Sequence, residues 1–374
     1  MPERFVKVRL MLTGAALALL AACGAPSQER NPAAPDALGA RPPAETKRIR
    51  AAILTDPPIL VDRLAPGGIG LPGVTDLEKV ISPGLTVVDD RGVVRPLLAE
   101  AAPTLENGSW RVLPGGRMET TWKIRPSARW HDGTAFTASD VLFTWTVGLD
   151  TEVPMRRHIA QGLVEQVEAP DAQTVVVRWS SPYIEADGLF GSAFFPRHLL
   201  ERSYTEDKAG FLLLPYWTEG FVGTGPFKLR QFERGSHLVL GAFDGYALGR
   251  PRLDEIEVRF IPDPNTVTAN LLAGAVDLTL GRGISLEQAI GLQSQWRDGK
   301  IDIAFTSWIV IFPQFLNPSP AVVGEAPFRR ALMHALDRQQ MADSLQGGLV
   351  PVADTFLHPN DAEYRKVERD IVRY

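Results

Sequence analysis

Trp130-His131-Asp132-Gly133-Thr134-Ala135-Phe136-Thr137-Ala138-Ser139-Asp140-Val141-Leu142-Phe143 is the stretch on which the reading of this chain turns. Asp132-Gly133 is turn chemistry, because a short polar side chain and a residue free of Cβ tolerate a tight reversal. Thr137 is a good helix N-cap, with Asp140 at the third helical position and Phe136 placed to staple against Val141. From there Val141, Leu142, Trp145 and Leu149 fall on one helical stripe. The segment therefore reads as a turn followed by a capped helix, with Trp130, Phe136 and Phe143 filling core. His131 beside Asp132 invites comparison with a base and its orienter. Adjacent residues do not form that geometry easily, and no nucleophile is placed by the sequence.

Upstream, Trp110 to Leu113 and Met118 to Ile124 flank Pro114-Gly115-Gly116, and Met118, Thr120, Trp122 and Ile124 share one face. That pattern predicts a hairpin. Further back, Arg48 to Leu54 predicts a first strand, halted by Thr55-Asp56-Pro57-Pro58. Pro66 to Gly73 predicts a loop. Thr75-Asp76-Leu77-Glu78 predicts a capping box that opens a helix ending near Gly84. Downstream, Thr174 to Ser180 predicts a strand. Phe227 to Phe232 and His237 to Leu240 bracket Arg234-Gly235-Ser236 as a second hairpin. Ile256, Val258 and Phe260 alternate along a strand, and Thr266 to Ala273 predicts a helix closed by Gly274. Ile301 to Phe312 predicts a buried strand, and Phe328, Ala331, Leu332, Ala335 and Leu336 a helical stripe. Strands and helices mix without strict alternation, so the class is α/β or α+β with more than one domain.

The amino end reads as an address. Arg4, Lys7 and Arg9 precede an apolar run from Leu10 to Ala22, which is too short for the roughly 20 residues of a membrane helix and fits a secretory signal peptide over 1–22. Leu20-Ala21-Ala22-Cys23 resembles the bacterial lipobox, which implies cleavage before Cys23 and lipidation of it. A plain signal peptide that happens to contain a cysteine is the alternative. Residues 23–47, rich in Ala and Pro, then form the lipid anchor and a flexible tether. Cys23 is the one cysteine of the 374 residues, so an intramolecular disulfide is excluded. The net charge of −5 argues against sequence-independent nucleic-acid binding, which needs a basic surface.

Four stretches together resemble the peptide- and nickel-type extracellular solute-binding proteins, family 5, of bacterial ABC importers. They are Trp130 to Phe143; Gly223-Thr224-Gly225-Pro226-Phe227-Lys228-Leu229; Ile261-Pro262-Asp263-Pro264-Asn265-Thr266 with Leu271-Leu272-Ala273-Gly274-Ala275-Val276-Asp277; and Phe328-Arg329-Arg330-Ala331-Leu332 through Leu336-Asp337-Arg338. They occur in the family's order. The resemblance implies an α/β, two-lobed periplasmic-binding-protein-like fold of class II with an extra inserted domain, closing about a hinge. Carried onto this chain, residues 48–75 and 212–300 build the first lobe. Residues 76–211 build the inserted domain, and 301–374 begin the far lobe. Members of this family are longer, so the far lobe is expected to be incomplete and the chain a truncated or split gene product. The acidic residue that pairs with a peptide's amino end in relatives has no counterpart here.

The resemblance further implies capture of a solute, a peptide above all, and its delivery to ABC permease subunits. The protein would be a monomer, anchored to a bacterial membrane through its N-terminal lipid and facing the periplasm or cell surface. By position it nominates the loop Leu71 to Thr75, with Leu71, Gly73 and Thr75 named, together with Trp217 and Trp308, as ligand contacts. Each tryptophan could equally be core. No cofactor and no catalytic residue is expected. The six histidines are dispersed, so no metal site is expected from spacing. Gly281-Arg282-Gly283 lacks the other glycines of a dinucleotide loop. Asn107-Gly108-Ser109 is better read as a turn than as a glycosylation site. Peptides, nickel complexes, opines and oligosaccharides all remain open as ligands. A sensory ligand-binding lipoprotein is an alternative function, and a tethered secreted hydrolase a more distant one.

Overall fold

The computed structural model describes residues 46–373 except 66–70, 91, 303–309 and 358–361. The chain opens with β1 (Arg48–Ile53) and α1 (Val74–Ile81), then the short strands β2 (Thr86–Val88) and β3 (Val94–Pro96). β4 (Trp110–Val112) and β5 (Met118–Lys123) lead to α2 (Ala138–Leu149), β6 (Val164–Asp171) and β7 (Thr174–Trp179). After α3 (Arg197–Glu206) and α4 (Lys208–Phe211) come β8 (Phe227–Glu233), β9 (His237–Ala242) and β10 (Glu255–Phe260). Then follow α5 (Pro264–Leu272), β11 (Leu278–Thr279), α6 (Leu286–Gln295), α7 (Ala326–Ala335), α8 (Arg338–Gln346) and α9 (Ala362–Val367).

The first sheet has the order β11-β1-β10-β9-β8. β1 runs parallel to both β10 and β11, while β9 is antiparallel to β10 and β8. Residues near 50 therefore pair with residues beyond 250 in one sheet. Alternation along β1 sends Ala51 and Ile53 into one core and Ala52 into another, on the opposite face, with Val267 and Leu271 of α5 and Leu292 of α6. The sheet is thus covered on both faces, as a parallel centre requires. A second, antiparallel sheet has the order β4-β5-β7-β6. Its inward residues Met118, Trp122, Val175, Val177 and Trp179 form a separate core with Trp130, Phe136 and Val141.

α2 is the wall between the two large cores. Ala138 and Val141 belong to the core of the second sheet, Phe143 and Val147 to that of the first. Phe195, Leu200 and Phe211 join the first core as well. The first core therefore crosses the boundaries drawn at residues 75/76 and 211/212, and α1 itself begins at Val74.

The turn at Asp132-Gly133 and the helix after Thr137 form as the local chemistry dictates. The Thr137 N–H donates to Asp140 Oδ2 at 2.9 Å, and Phe136 and Val141 are both buried. Both hairpins form. The capping box expected at Thr75–Glu78 does not. α1 starts two residues earlier, capped from Gly73 at φ 85°, and Thr75 is exposed. Glu78 is instead buried, taking the N–H groups of Asp62 at 2.6 Å and Ala193 at 3.1 Å. The expected strand from Ile301 to Phe312 is not seen in its described part. Residues 310–312 are irregular, and Ile311 and Phe312 are 60% and 83% exposed. Residues 303–309 lie outside the described residues. α7 forms where its stripe predicts but buries none of its residues.

The Gly223-Thr224-Gly225 segment runs against the end of α1, with the Gly225 N–H on the Ile81 carbonyl at 2.9 Å. A Cβ on Gly225 would lie 2.3 Å from the Val80 carbonyl oxygen and 2.6 Å from the Ile81 carbonyl carbon, both backbone. Gly225→Ala is therefore expected to cost roughly 1–3 kcal/mol of stability by overpacking. A urea midpoint unchanged from the parent would contradict this close approach.

Candidate functional site

In open α/β sheets the crevice outside the carboxyl ends of parallel strands is where ligands bind, because loops diverge there and leave space. Here that edge lies beyond Ile53, Phe260 and Thr279. The loop entering α1 and the loop after β11 meet on it. The Leu280 N–H is bound to the Ala52 carbonyl at 2.9 Å, which carries β11 one residue past its pairing. Gly281, at φ 64°, then passes so close to the α1 loop that a Cβ on it would lie 2.2 Å from the Gly73 nitrogen. Its N–H donates to Asp76 Oδ2 at 2.8 Å. A Cβ on Gly73 would in turn lie 2.6 Å from Ile53 Cγ2. Two glycines with left-handed backbone thus allow two loops and the end of β1 to converge. The Arg234–Ser236 turn stands on the same edge, because His237 of β9 pairs with Arg259 near the end of β10. It is tied to the β1 exit by the Gly235 N–H on Asp56 Oδ2 at 2.8 Å and by Arg234 on the Pro57 carbonyl at 2.8 Å. Beside it a groove of about 520 Å³ runs between Pro58, Leu214, Thr218, Phe232 and Arg234.

The residues nominated from sequence separate here. Leu71 is half-buried and packs on the first core, Gly73 is buried at the loop contact, and Thr75 is exposed on the first turn of α1. Trp217 is 2% exposed. Its ring packs edge-on against Phe195, Phe211 and Tyr216 at 4.9–5.2 Å, and its N–H is spent on the Phe211 carbonyl at 2.6 Å. That places the indole in the first core, while the residue also borders the groove beside the Arg234 turn; the aromatic chain around it, from Phe195 to Tyr216, explains its burial. Trp308 and Cys23 lie outside the described residues.

A polar knot behind the α1 loop was not visible in the sequence. Asp62, 6% exposed, accepts the Leu71 N–H on Oδ1 at 3.1 Å and the Arg156 guanidinium on Oδ2. Arg63 donates to the Ala193 carbonyl at 2.6 Å and stacks over the Phe195 ring. Burial lowers Arg63 to about 10, with Glu78 opposing, and burial raises Glu78 despite the N–H groups it accepts. No local spacing signals these partners. Gly281 was visible, but only as an incomplete dinucleotide motif.

His131 forms a second clasp. Its Nδ1 accepts the Gly223 N–H and its Nε2–H donates to the Gly225 carbonyl, each at 3.1 Å. The first contact requires an unprotonated Nδ1 and so the neutral ring, whereas the second is open to either form. Burial lowers its pKa to about 4. Its role is to lock two segments, with no reacting group at hand. Among the described residues no three His, Cys, Asp or Glu side chains are grouped to hold a metal ion, and no helix is long and apolar enough to cross a membrane.

A family model described as bacterial extracellular solute-binding proteins, family 5 Middle, matches residues 94–371. The oligopeptide-binding protein AppA of Bacillus subtilis is 25% identical over 313 residues, covering 79% of this chain and 52% of AppA. A putative ABC transporter peptide-binding protein of Brucella ovis is 28% identical over 283 residues, covering 75% of this chain and 50% of that protein. The solved structure of AppA in complex with a nonapeptide superimposes with a TM-score of 0.62 at 23% identity, covering 85% of this chain and 60% of AppA. The chain spans about half the length of the curated relatives it matches.

Proposed function

Because the chain belongs to the bacterial extracellular solute-binding proteins, family 5, we propose that it captures a peptide at the carboxyl edge of β11, β1 and β10 and delivers it to an ABC permease without altering it. The observation that carries this reading is the convergence of Leu71–Thr75 and Leu280–Gly283 over the end of β1, in a mixed α/β fold matching that of two-lobed family members. Backbone groups of loops suit a peptide, whose own amides need partners, while half-buried Leu71 offers apolar contact. The resemblance to AppA of Bacillus subtilis, named an oligopeptide-binding protein, favours a peptide. Closure about a hinge would follow to the extent that ligand prefers the closed state. Secretion through residues 1–22, anchoring through a lipid on Cys23 and action as a monomer complete the proposal.

Thermal denaturation of the full chain against peptides of two to nine residues tests it. A peptide at a hundredfold excess over its Kd should add about 2.7 kcal/mol to stability and raise Tm accordingly. A peptide library that leaves Tm unmoved throughout would sink the proposal.

A further inference from the structure

The proposed ligand-facing loop is held from behind by a group that ligand capture itself leaves unassigned. Asp62 Oδ1 accepts the Leu71 N–H at 3.1 Å. Its other oxygen takes the guanidinium of Arg156, which comes from the segment between α2 and β6. The same arginine also donates its backbone N–H to the Arg63 carbonyl at 2.8 Å. Two bonds from one residue therefore grip two consecutive residues of the strand-to-loop connection. The Asp62 N–H is fixed in turn by Glu78 of α1 at 2.6 Å, and the second Glu78 oxygen takes the Ala193 N–H at 3.1 Å. With Asp62 6% exposed, bulk water has little access to replace either partner.

We propose that Arg156 is a positioning residue for the Leu71–Thr75 loop, acting through Asp62. The inference rests on the reading of that loop as ligand-facing. A single charge-assisted hydrogen bond from the guanidinium fixes one carboxylate oxygen, and that sets where the opposite oxygen meets the Leu71 amide. The side chain of Arg156 is 41% exposed, so its removal leaves no cavity in either core. Its effect should pass to the loop alone.

Amide hydrogen exchange and peptide affinity, measured on the full chain, separate the possibilities. Arg156→Ala should speed exchange at the Leu71 amide and weaken peptide binding, each by roughly tenfold, the factor of one charge-assisted hydrogen bond. Arg156→Lys, which keeps the charge on a differently shaped donor, should fall between. Arg157→Ala, whose parent side chain reaches the Leu149 carbonyl and no carboxylate among the described residues, should match the parent in both. Exchange at Leu71 that is unchanged in Arg156→Ala overturns the inference, as does faster exchange with unchanged affinity. Should the parent chain bind no peptide, the functional reading falls, while Leu71 exchange still decides whether Arg156 holds the loop.

Discussion

Trp217→Ala is expected to destabilise the protein by about 3–5 kcal/mol, the range for removing a large aromatic side chain from a packed core. The ring is 2% exposed and touches Phe195, Phe211 and Tyr216. Its removal opens a void between Phe195, α4 and the loop after β1, and it leaves the Phe211 carbonyl with only the long 3.4 Å contact from the Leu214 N–H among the described residues. The Trp217 carbonyl also accepts the Leu60 N–H at 2.9 Å, so the β1 exit depends on where this residue sits. Trp217→Phe keeps most of the packing and loses the hydrogen bond, at about 1 kcal/mol. Its peptide affinity should equal the parent's. Guanidinium denaturation gives the stabilities and calorimetry the affinity. A loss below 1 kcal/mol for alanine, or weakened binding by the phenylalanine variant with stability intact, would return Trp217 to the ligand surface.

Acid should weaken the fold through His131. The native ring, neutral and desolvated against the Gly223–Gly225 segment with Lys228 nearby and Asp132 opposing, takes a proton only near pH 4, against 6.5 when free. Between those values the unfolded chain binds a proton that the native chain refuses, so stability falls as pH falls. The contribution is fully present above pH 6.5, declines through the interval and levels off below 4. A difference of that size amounts to about 3 kcal/mol at most. His158, exposed yet also lowered by desolvation, adds its own dependence on pH. The measurement is therefore the difference between the parent and His131→Gln, from unfolding free energies at pH 7, 6, 5 and 4. A difference that stays constant across that span would refute the clasp.

What could be read from the sequence was what local chemistry decides. Asp132-Gly133, the Thr137 cap, the Phe136–Val141 staple and both hairpins each depend on residues within a few positions, and each forms. The departures around α1 share one cause. Thr75 and Glu78 have the spacing of a capping box, but Glu78 is claimed by Asp62 and Ala193, the latter 115 positions away. Arg156 meets Asp62 across 94 positions. No period or spacing encodes such partners, and tertiary competition overrides the local preference. Trp217 was ambiguous for the same reason: an aromatic residue near a predicted cleft has the same sequence signature whether it faces solvent or core. The described end of the stretch from Ile301 departs from expectation for another reason. Its apolar, β-branched composition promises burial, yet Ile311 and Phe312 stand exposed, and composition alone does not say which surface should cover them.

The double duty of α2 bears on how such a scaffold can be cut and recombined. Phe143 and Val147 on one side and Ala138 and Val141 on the other belong to different interiors. A chimera that transplants residues 76–211 from a relative would import half of an interface whose other half stays behind. Crossover points placed in the connecting loops, where sequence alignment invites them, would mismatch packing on the β1 side. A graft that carries residues 57–65 as well brings Leu60, Val61 and Leu64 along, yet it still leaves Ile53, Trp217, Leu240 and Val258 of the first core behind.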